Sequence, residues 1–170
     1  SSCSGSCCGP SGKKTQRKAQ GTTTRGAAMP PEFAPHERCV IAWPARASMW
    51  EDQLAAAKDD HAETARTISR YEPVLLVARP GEGAEAAAAC EAGSYDIEVV
   101  EWPIDDSWAR DIGAIVVTDD AGRRAGVDFA FNSWGEKFLP YDEDARFAER
   151  MCAHLGLDRY DASHVVLEGG

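Results

Sequence analysis

The feature that most constrains the fold is a continuous apolar run, Pro73-Val74-Leu75-Leu76-Val77-Ala78. A strand with apolar side chains on both faces is typical of a sheet that helices cover on both sides. Helical patterns flank this run, over residues 50–70 and 82–91. The alternation of strand and helix predicts an α/β fold with crossover helices.

Further elements extend this order to strand–helix–strand–helix–strand and then strand–strand–helix–strand. Ser48 and Glu51 have the spacing of a capping box, which predicts that the first helix begins there. The turn Asp119-Asp120-Ala121-Gly122 predicts a hairpin. The other predicted strands cover residues 38–43, 96–100, 112–118, 124–131 and 164–167, and a last helix covers residues 142–157.

The two ends of the chain differ from its middle. Residues 1–28 are rich in Ser, Thr, Gly and Lys and lack apolar periodicity, which predicts a disordered head. A secretory signal is not indicated, whereas a transit peptide and a cloning or gene-calling artefact both stay open, with Met29 as the expected natural start. Because the chain stops on Gly169-Gly170 just after a strand, we expect residues 29–170 to be truncated at the C-terminus.

Charge and composition exclude several classes of function. The formal net charge is −10, and without the five basic residues of the head it is −15 for residues 32–170. This charge disfavours nucleic acid and anionic membranes as partners and favours a small cation. No apolar run is long enough to span a membrane.

The residues that usually bind cofactors are also not arranged to do so. No glycine-rich phosphate loop follows a strand, and the four histidines have no metal-ligand spacing, so we expect no cofactor and no metal. Three cysteines, Cys39, Cys90 and Cys152, are scattered through apolar neighbourhoods. They predict buried free thiols in a reducing compartment, and hence a cytoplasmic protein.

The strongest candidate for a functional site is residues 103–113, Pro-Ile-Asp-Asp-Ser-Trp-Ala-Arg-Asp-Ile-Gly. A charged segment between two strands predicts a loop at one end of a sheet, where binding groups collect. The alternative is a solvated turn with a weak surface ion pair. Two features favour function: Trp108 lies between polar residues, and a second acidic element, Leu167-Glu168-Gly169-Gly170, ends the chain.

Taken together, five motifs closely resemble the agmatine deiminase family, in the group that also holds the bacterial peptidylarginine deiminases. The resemblance covers residues 29–170. The motifs are Met29-Pro30-Pro31-Glu32-Phe33 with Pro35-His36-Glu37, Ala42-Trp43-Pro44, the 103–111 segment, Phe131-Asn132-Ser133-Trp134-Gly135 and Leu167-Glu168-Gly169-Gly170.

The resemblance implies a fold and a reaction. The fold is a pentein-type α/β propeller of ββαβ modules, of which about two of five would be present. The reaction is hydrolysis of the guanidinium group of agmatine to N-carbamoylputrescine and ammonia, a step from arginine towards polyamines. A small cationic guanidine is the implied partner, and a homo-oligomer of the longer family protein stays open.

The resemblance also assigns roles to residues. Asp111 and Glu168 match carboxylates that grip the guanidinium group, and Trp108 matches the aromatic wall beside it. Asp105 and Asp106 lie in the same motif and either face the substrate amine or support the loop. Trp43 and Trp134 are interpreted as core residues, and Arg110 as an organiser of the loop.

The nucleophilic cysteine and the general acid/base histidine of the family match nothing in this chain, so we expect the chain alone to be inactive. Two alternatives stay open at this point. One is a peptidylarginine deiminase, and the other is a non-catalytic module that binds guanidines.

Overall fold

The computed structural model describes residues 26–167 and contains two three-stranded sheets. Residues 1–25 of the predicted head and Glu168 lie outside the described residues. Ala28, the last residue of that head, forms two backbone hydrogen bonds with Thr118, so the prediction of disorder was wrong there. Along the chain the elements are β1 (Cys39–Ala42), α1 (Ala47–Trp50), α2 (Leu54–Ile68), β2 (Val74–Ala78), α3 (Gly83–Ala89), β3 (Ile97–Glu101), α4 (Ala109–Ile112), β4 (Ile115–Thr118), β5 (Arg124–Ala130), α5 (Ser133–Glu136), α6 (Phe147–Leu155) and β6 (Asp158–Val166).

The first sheet is parallel, with strand order β1-β2-β3. All five residues of β2 are buried, as the apolar run predicted. Helices α2 and α3 make the two crossovers between its strands. The predicted strand–helix–strand–helix–strand order is therefore confirmed for this part of the chain.

The two faces of β2 pack into different cores, because successive side chains of a strand point to opposite faces. One face packs against α2 and α3, through residues that include Leu76, Ala65 and Ala86. The opposite face, with Leu75 and Val77, packs against α6 through residues that include Phe147 and Cys152. Helix α6 therefore lies between the two sheets.

The second sheet has strand order β4-β5-β6, with β4 and β5 antiparallel and β5 and β6 parallel. Helix α6 connects β5 to β6, which gives the strand–strand–helix–strand module that the sequence predicted. Ala28 adds one antiparallel bridge to Thr118 at the outer edge of β4. No helix among residues 26–167 is long and apolar enough to cross a bilayer.

The capping-box prediction at Ser48 was wrong. Ser48 lies inside α1, whose cap is Arg46, with no capping bond from its side chain. Glu51 has φ of 49°, so its backbone leaves the helical path instead of reaching back to Ser48. A 3-10 turn, Glu51–Gln53, separates this first turn from α2.

The boundary between α6 and β6 was also misplaced. The helix was predicted to run to Leu157 and the strand to begin at His164. In the structure Gly156 adopts a left-handed conformation, with φ of 64°, and ends the helix, as glycine commonly does after a helix. The chain then enters β6 at Asp158, six residues before the predicted start.

Candidate functional site

The candidate segment, residues 103–113, connects β3 to β4 and therefore passes from the first sheet to the second. It was predicted as a loop, but it contains one helical turn, α4. The carbonyl of Trp108 accepts hydrogen bonds from the amides of Asp111 and Ile112, at 2.9 and 3.0 Å. Trp108 and Asp111 are therefore joined by a backbone hydrogen bond across this turn.

Gly113 allows this turn to close. Its amide donates to the carbonyl of Ala109 at 3.0 Å. A methyl group at position 113 would lie only 2.7 Å from that same carbonyl oxygen. The glycine at the end of the motif is therefore required by the close approach of two backbone segments.

Asp105 and Asp144 form a reciprocal clasp between distant parts of the chain. The amide of Asp105 donates to the Asp144 carboxylate at 2.7 Å, and the amide of Asp106 donates to its two oxygens at 3.3 and 3.2 Å. In return, the Asp105 carboxylate accepts from the amides of Glu143 and Asp144, at 3.0 and 3.3 Å. Both carboxylates are thus engaged by the protein's own backbone.

Asp106 faces the segment after β1. Its carboxylate accepts from the indole Nε1 of Trp50 at 3.0 Å and from the amide of Ala45 at 3.4 Å. The side chain is 0% exposed, and its second oxygen has no hydrogen-bond partner among the described residues. Of the two roles left open for Asp105 and Asp106, these contacts favour support of the loop.

Two arginines hold the carbonyl groups of the same loop. Arg79 donates to the carbonyls of Ile104 and Asp105 at 2.8 and 2.5 Å, and to that of Ala45 at 3.0 Å. Arg150 of α6 donates to the carbonyl of Pro103 at 2.6 Å. The backbone from Pro103 to Asp106 is therefore fixed by side chains from three other parts of the chain.

Asp144 is the most perturbed acid in this network. The pKa of its carboxyl is raised to about 6, mainly by burial and in smaller part by the charge of Asp105, although the two amide donors and Arg46 act in the opposite direction. Loss of hydration disfavours the charged form. Asp144 lies in the 3-10 turn Asp144–Arg146 just before α6.

Asp111 differs from its two neighbours in the motif. It is half-buried, and within residues 26–167 no group makes a hydrogen bond or ion pair with its carboxylate. Arg110, next to it, is exposed and forms an ion pair with Glu32 at 3.5 Å. Among the three acids of the segment, Asp111 is therefore the one whose carboxylate is available to a ligand.

Trp108 is held by a second aromatic side chain. Its ring meets that of Trp134 edge-to-face, with centroids 5.3 Å apart and planes at 90°. Trp134 also packs against Phe131 and Phe138, with centroids 5.3 and 5.9 Å apart. Trp43 is buried in the core beside α2 and α3.

The turn that presents Trp134 has an unusual backbone. All four residues of α5 have positive φ, from 52° to 81°, although only Gly135 is a glycine. The Asn132 side chain accepts from the amide of Gly135, and the Ser133 hydroxyl bonds to both backbone groups of Phe138. These bonds hold a conformation that costs non-glycine residues energy.

The three cysteines of the described region are free, but only two of them are buried. Cys90 and Cys152 are buried, whereas Cys39 is half-buried, so the expectation of three buried thiols was wrong for Cys39. Burial raises the pKa of all three thiols, and the nearby charge of Glu72 adds to this effect at Cys39. A thiol with a raised pKa is a poor nucleophile.

No group of histidine, cysteine and acidic side chains in residues 26–167 is arranged to hold a metal ion. A cavity of about 420 Å³ lies between the segment 30–40 and α6, with Cys39, Val116 and Met151 among its lining residues. Trp108, Asp105, Asp106 and Asp111, the predicted site residues that lie within residues 26–167, do not line it. The candidate site is therefore separate from this cavity.

Comparison with known proteins decides the family. A family model described as Porphyromonas-type peptidyl-arginine deiminase matches residues 28–170. The chain belongs to this family. The match includes the whole candidate segment and both sheets, so the resemblance that the five motifs indicated is confirmed.

Curated members of the family give the same result. A Streptomyces coelicolor protein, provisionally named an agmatine deiminase, is 43% identical over 145 residues, which are 84% of this chain and 42% of the relative. The agmatine deiminase of Stutzerimonas stutzeri is 38% identical over 146 residues, covering 84% and 39% of the two chains. The chain thus spans about two fifths of the length of these relatives.

A solved member of the family confirms the predicted fold. The agmatine deiminase of Enterococcus faecalis superposes with a TM-score of 0.79 at 32% identity, over 85% of this chain and 40% of that chain. This match confirms a pentein-type α/β propeller fold. The second sheet has the implied ββαβ order, whereas the first sheet has the order strand–helix–strand–helix–strand with all its strands parallel.

Sequence reasoning missed the residues that hold the site in place. Asp144, Arg79 and Arg150 were not singled out, because each contacts the loop across 25 to 47 positions of the chain. No local spacing relates them to it. The single weak signal was an acid, Asp144, in a region that was interpreted as an ordinary helix.

Proposed function

We propose that this chain supplies the guanidinium-binding part of an agmatine deiminase, which hydrolyses agmatine to N-carbamoylputrescine and ammonia. In this proposal the carboxylates of Asp111 and Glu168 pair with the planar guanidinium group, and Trp108 forms the wall beside it. Bidentate pairs between carboxylates and a guanidinium group fix its plane and orientation. That fixed orientation is what attack on the central carbon requires.

One observation carries the proposal. The carboxylates of Asp105 and Asp106 are hydrogen-bonded within the protein, whereas that of Asp111 has no such partner among residues 26–167. The backbone amide of Asp111 bonds to the carbonyl of Trp108. A negative carboxylate beside an aromatic ring suits a cationic, planar group. The net charge of −10 attracts the same kind of molecule.

The chemical step in this family uses a cysteine thiolate, which attacks the guanidinium carbon and releases ammonia before water frees the ureido product. The raised pKa values of Cys39, Cys90 and Cys152 argue against each of them in that role. We therefore propose that these 170 residues bind the guanidine but do not turn it over alone. The free thiols support the inference of a cytoplasmic location.

A second candidate is a peptidylarginine deiminase, because the matching family is described by that activity. The same carboxylates would bind the guanidinium group of an arginine side chain. A third, a non-catalytic guanidine-binding module, predicts the same binding without turnover. The two substrates are separated by comparing agmatine with a blocked arginine peptide.

Calorimetric titration tests the binding role. Agmatine should bind the chain, whereas 1,4-diaminobutane, which has no guanidinium group, should bind far more weakly. D111N keeps the shape of the side chain but removes its charge, and we expect it to weaken agmatine binding by about tenfold or more. D142N changes an exposed acid outside the segment and serves as the matched control.

Equal binding of agmatine and 1,4-diaminobutane, or an unchanged affinity in D111N, would refute the proposal. Stronger binding of the blocked peptide would select the peptidylarginine alternative. Ammonia release from agmatine by the purified chain would contradict the expected lack of turnover.

A further inference from the structure

We propose that Asp144 is a positioning residue for the guanidinium site. It would act by holding the backbone amides of Asp105 and Asp106, and so the loop that carries Trp108 and Asp111. This inference rests on the proposed function and assigns it a residue outside the motif that the family resemblance identified.

Among residues 26–167, only Asp144 accepts hydrogen bonds from the backbone amides of Asp105 and Asp106. Its carboxylate accepts from Asp105 at 2.7 Å and from Asp106 at 3.3 and 3.2 Å. Asp144 is 1% exposed and Asp106 is 0% exposed, so water cannot replace the carboxylate. Buried backbone amides without a partner are costly, and the loop would have to move if Asp144 were removed.

All other hydrogen bonds that the described residues make to residues 103–106 go to carbonyl groups or side chains. Arg79 and Arg150 hold the carbonyls of Pro103, Ile104 and Asp105. Trp50 and the amide of Ala45 hold the Asp106 side chain. The amides of the loop therefore depend on Asp144, and the carbonyls do not.

The clasp between Asp105 and Asp144 is connected to Trp108 by two routes. Trp108 follows Asp106 by two residues, so a displacement of Asp106 is passed to it directly. A second route runs from Tyr141 through Phe131 and Trp134 to Trp108, with successive ring centroids 6.1, 5.3 and 5.3 Å apart. The segment 141–144 thus fixes Trp108 through the backbone and through ring contacts.

Amide hydrogen exchange tests the clasp without any ligand. In D144N and D144A we expect exchange at Asp105, Asp106 and the amides of α4 to accelerate by about tenfold or more, since local opening sets these rates. The amides of β2, in the centre of the first sheet, should keep wild-type rates. D144N retains one acceptor oxygen, so the exchange rates can be measured on this variant if D144A does not fold.

Two variants control this experiment. D142N alters an exposed acid two residues away, and D128N alters a buried acid of β5 whose partner is Arg159, at 3.2 Å. Neither should accelerate exchange in the loop selectively. Uniform acceleration throughout D144N, or an unchanged loop, would overturn the proposal, because Asp144 would then act on overall stability or not at all.

Agmatine titration gives the functional readout. We expect D144N to weaken agmatine binding by about tenfold, while D128N stays within about twofold of wild type. Selective loosening of the loop with unchanged agmatine affinity would overturn the positioning role. If wild type itself binds no agmatine, the proposed function fails, whereas the exchange data still decide whether Asp144 holds the loop.

Discussion

At the scale of single residues, environment separates acids that have the same chemistry. Asp105, Asp106 and Asp111 lie within seven positions. The carboxylates of the first two accept hydrogen bonds from the protein, whereas that of Asp111 has no such partner within residues 26–167. Asp144 completes the pattern, because its carboxylate is buried and its pKa is raised to about 6. Burial and the nearby hydrogen-bond donors therefore determine the role of each acid, whereas residue type does not.

The raised pKa of Asp144 predicts a pH-dependent stability. Its folded-state pKa of about 6 exceeds the usual 3.8, so its favourable contribution is complete below about pH 4 and is lost as pH rises through 6. Relative to D144N, which does not titrate there, wild type should lose about 2 to 3 kcal/mol of unfolding free energy between pH 4 and 7.

Urea unfolding of both proteins at several pH values measures this difference directly. Other acids titrate in both proteins, so their effects cancel in the comparison. A difference between wild type and D144N that stays constant from pH 4 to 7 would show that Asp144 titrates normally.

At the scale of elements, α6 packs closely on β5. Gly126 of β5 faces Cys152 of α6, and a methyl group at position 126 would overlap its sulfur and approach the Cβ of Ala114 to 3.1 Å. The absence of a side chain at position 126 therefore sets the distance between helix and sheet.

We expect G126A to destabilise the protein by about 1 to 3 kcal/mol, because the added methyl group overpacks the interface. C152A removes the sulfur, so the double variant G126A/C152A should be more stable than the sum of the two single changes predicts. Thermal or urea unfolding of the four proteins gives this coupling. Simple additivity would show that the new methyl group is accommodated elsewhere.

At the scale of the whole molecule, an apolar core joins the two modules. Leu75 and Val77 of the first sheet meet Phe147 and Met151 of α6, which in turn cover the second sheet. At the margin of this contact, Glu98 of β3 forms an ion pair with Arg38 at 2.7 Å and contacts the Nε2 atom of His154 at 2.9 Å. These partners are partly exposed, and such pairs contribute little.

Two substitutions compare these contributions. F147A empties a site that is 0% exposed and should cost about 3 to 5 kcal/mol, whereas E98Q should cost less than about 1 kcal/mol. Urea unfolding followed by tryptophan fluorescence measures both. A larger loss in E98Q than in F147A would mean that the ion pairs, and not the apolar core, hold the modules together.

Much of the fold could be predicted from the sequence because the patterns that indicate it are local. The buried run at β2, the hairpin between β4 and β5 and the alternation of strands and helices all depend on neighbouring residues. The predicted boundaries of helices and strands were wrong where the backbone conformation of one residue sets the boundary, as at Glu51 and Gly156. Both have positive φ, and only the second belongs to a residue type that makes such a conformation common.

The candidate site, too, could be predicted from the sequence only in part. The sequence by itself determined the family, the α/β alternation and the short segment that contains Trp108 and Asp111, because these are written in consecutive residues. Only the tertiary structure decided which acids are free, since the donors that engage Asp105 and Asp106 come from residues 38 to 61 positions away. Burial and hydrogen bonding are properties of residues brought together by folding, and they have no local signature in the chain.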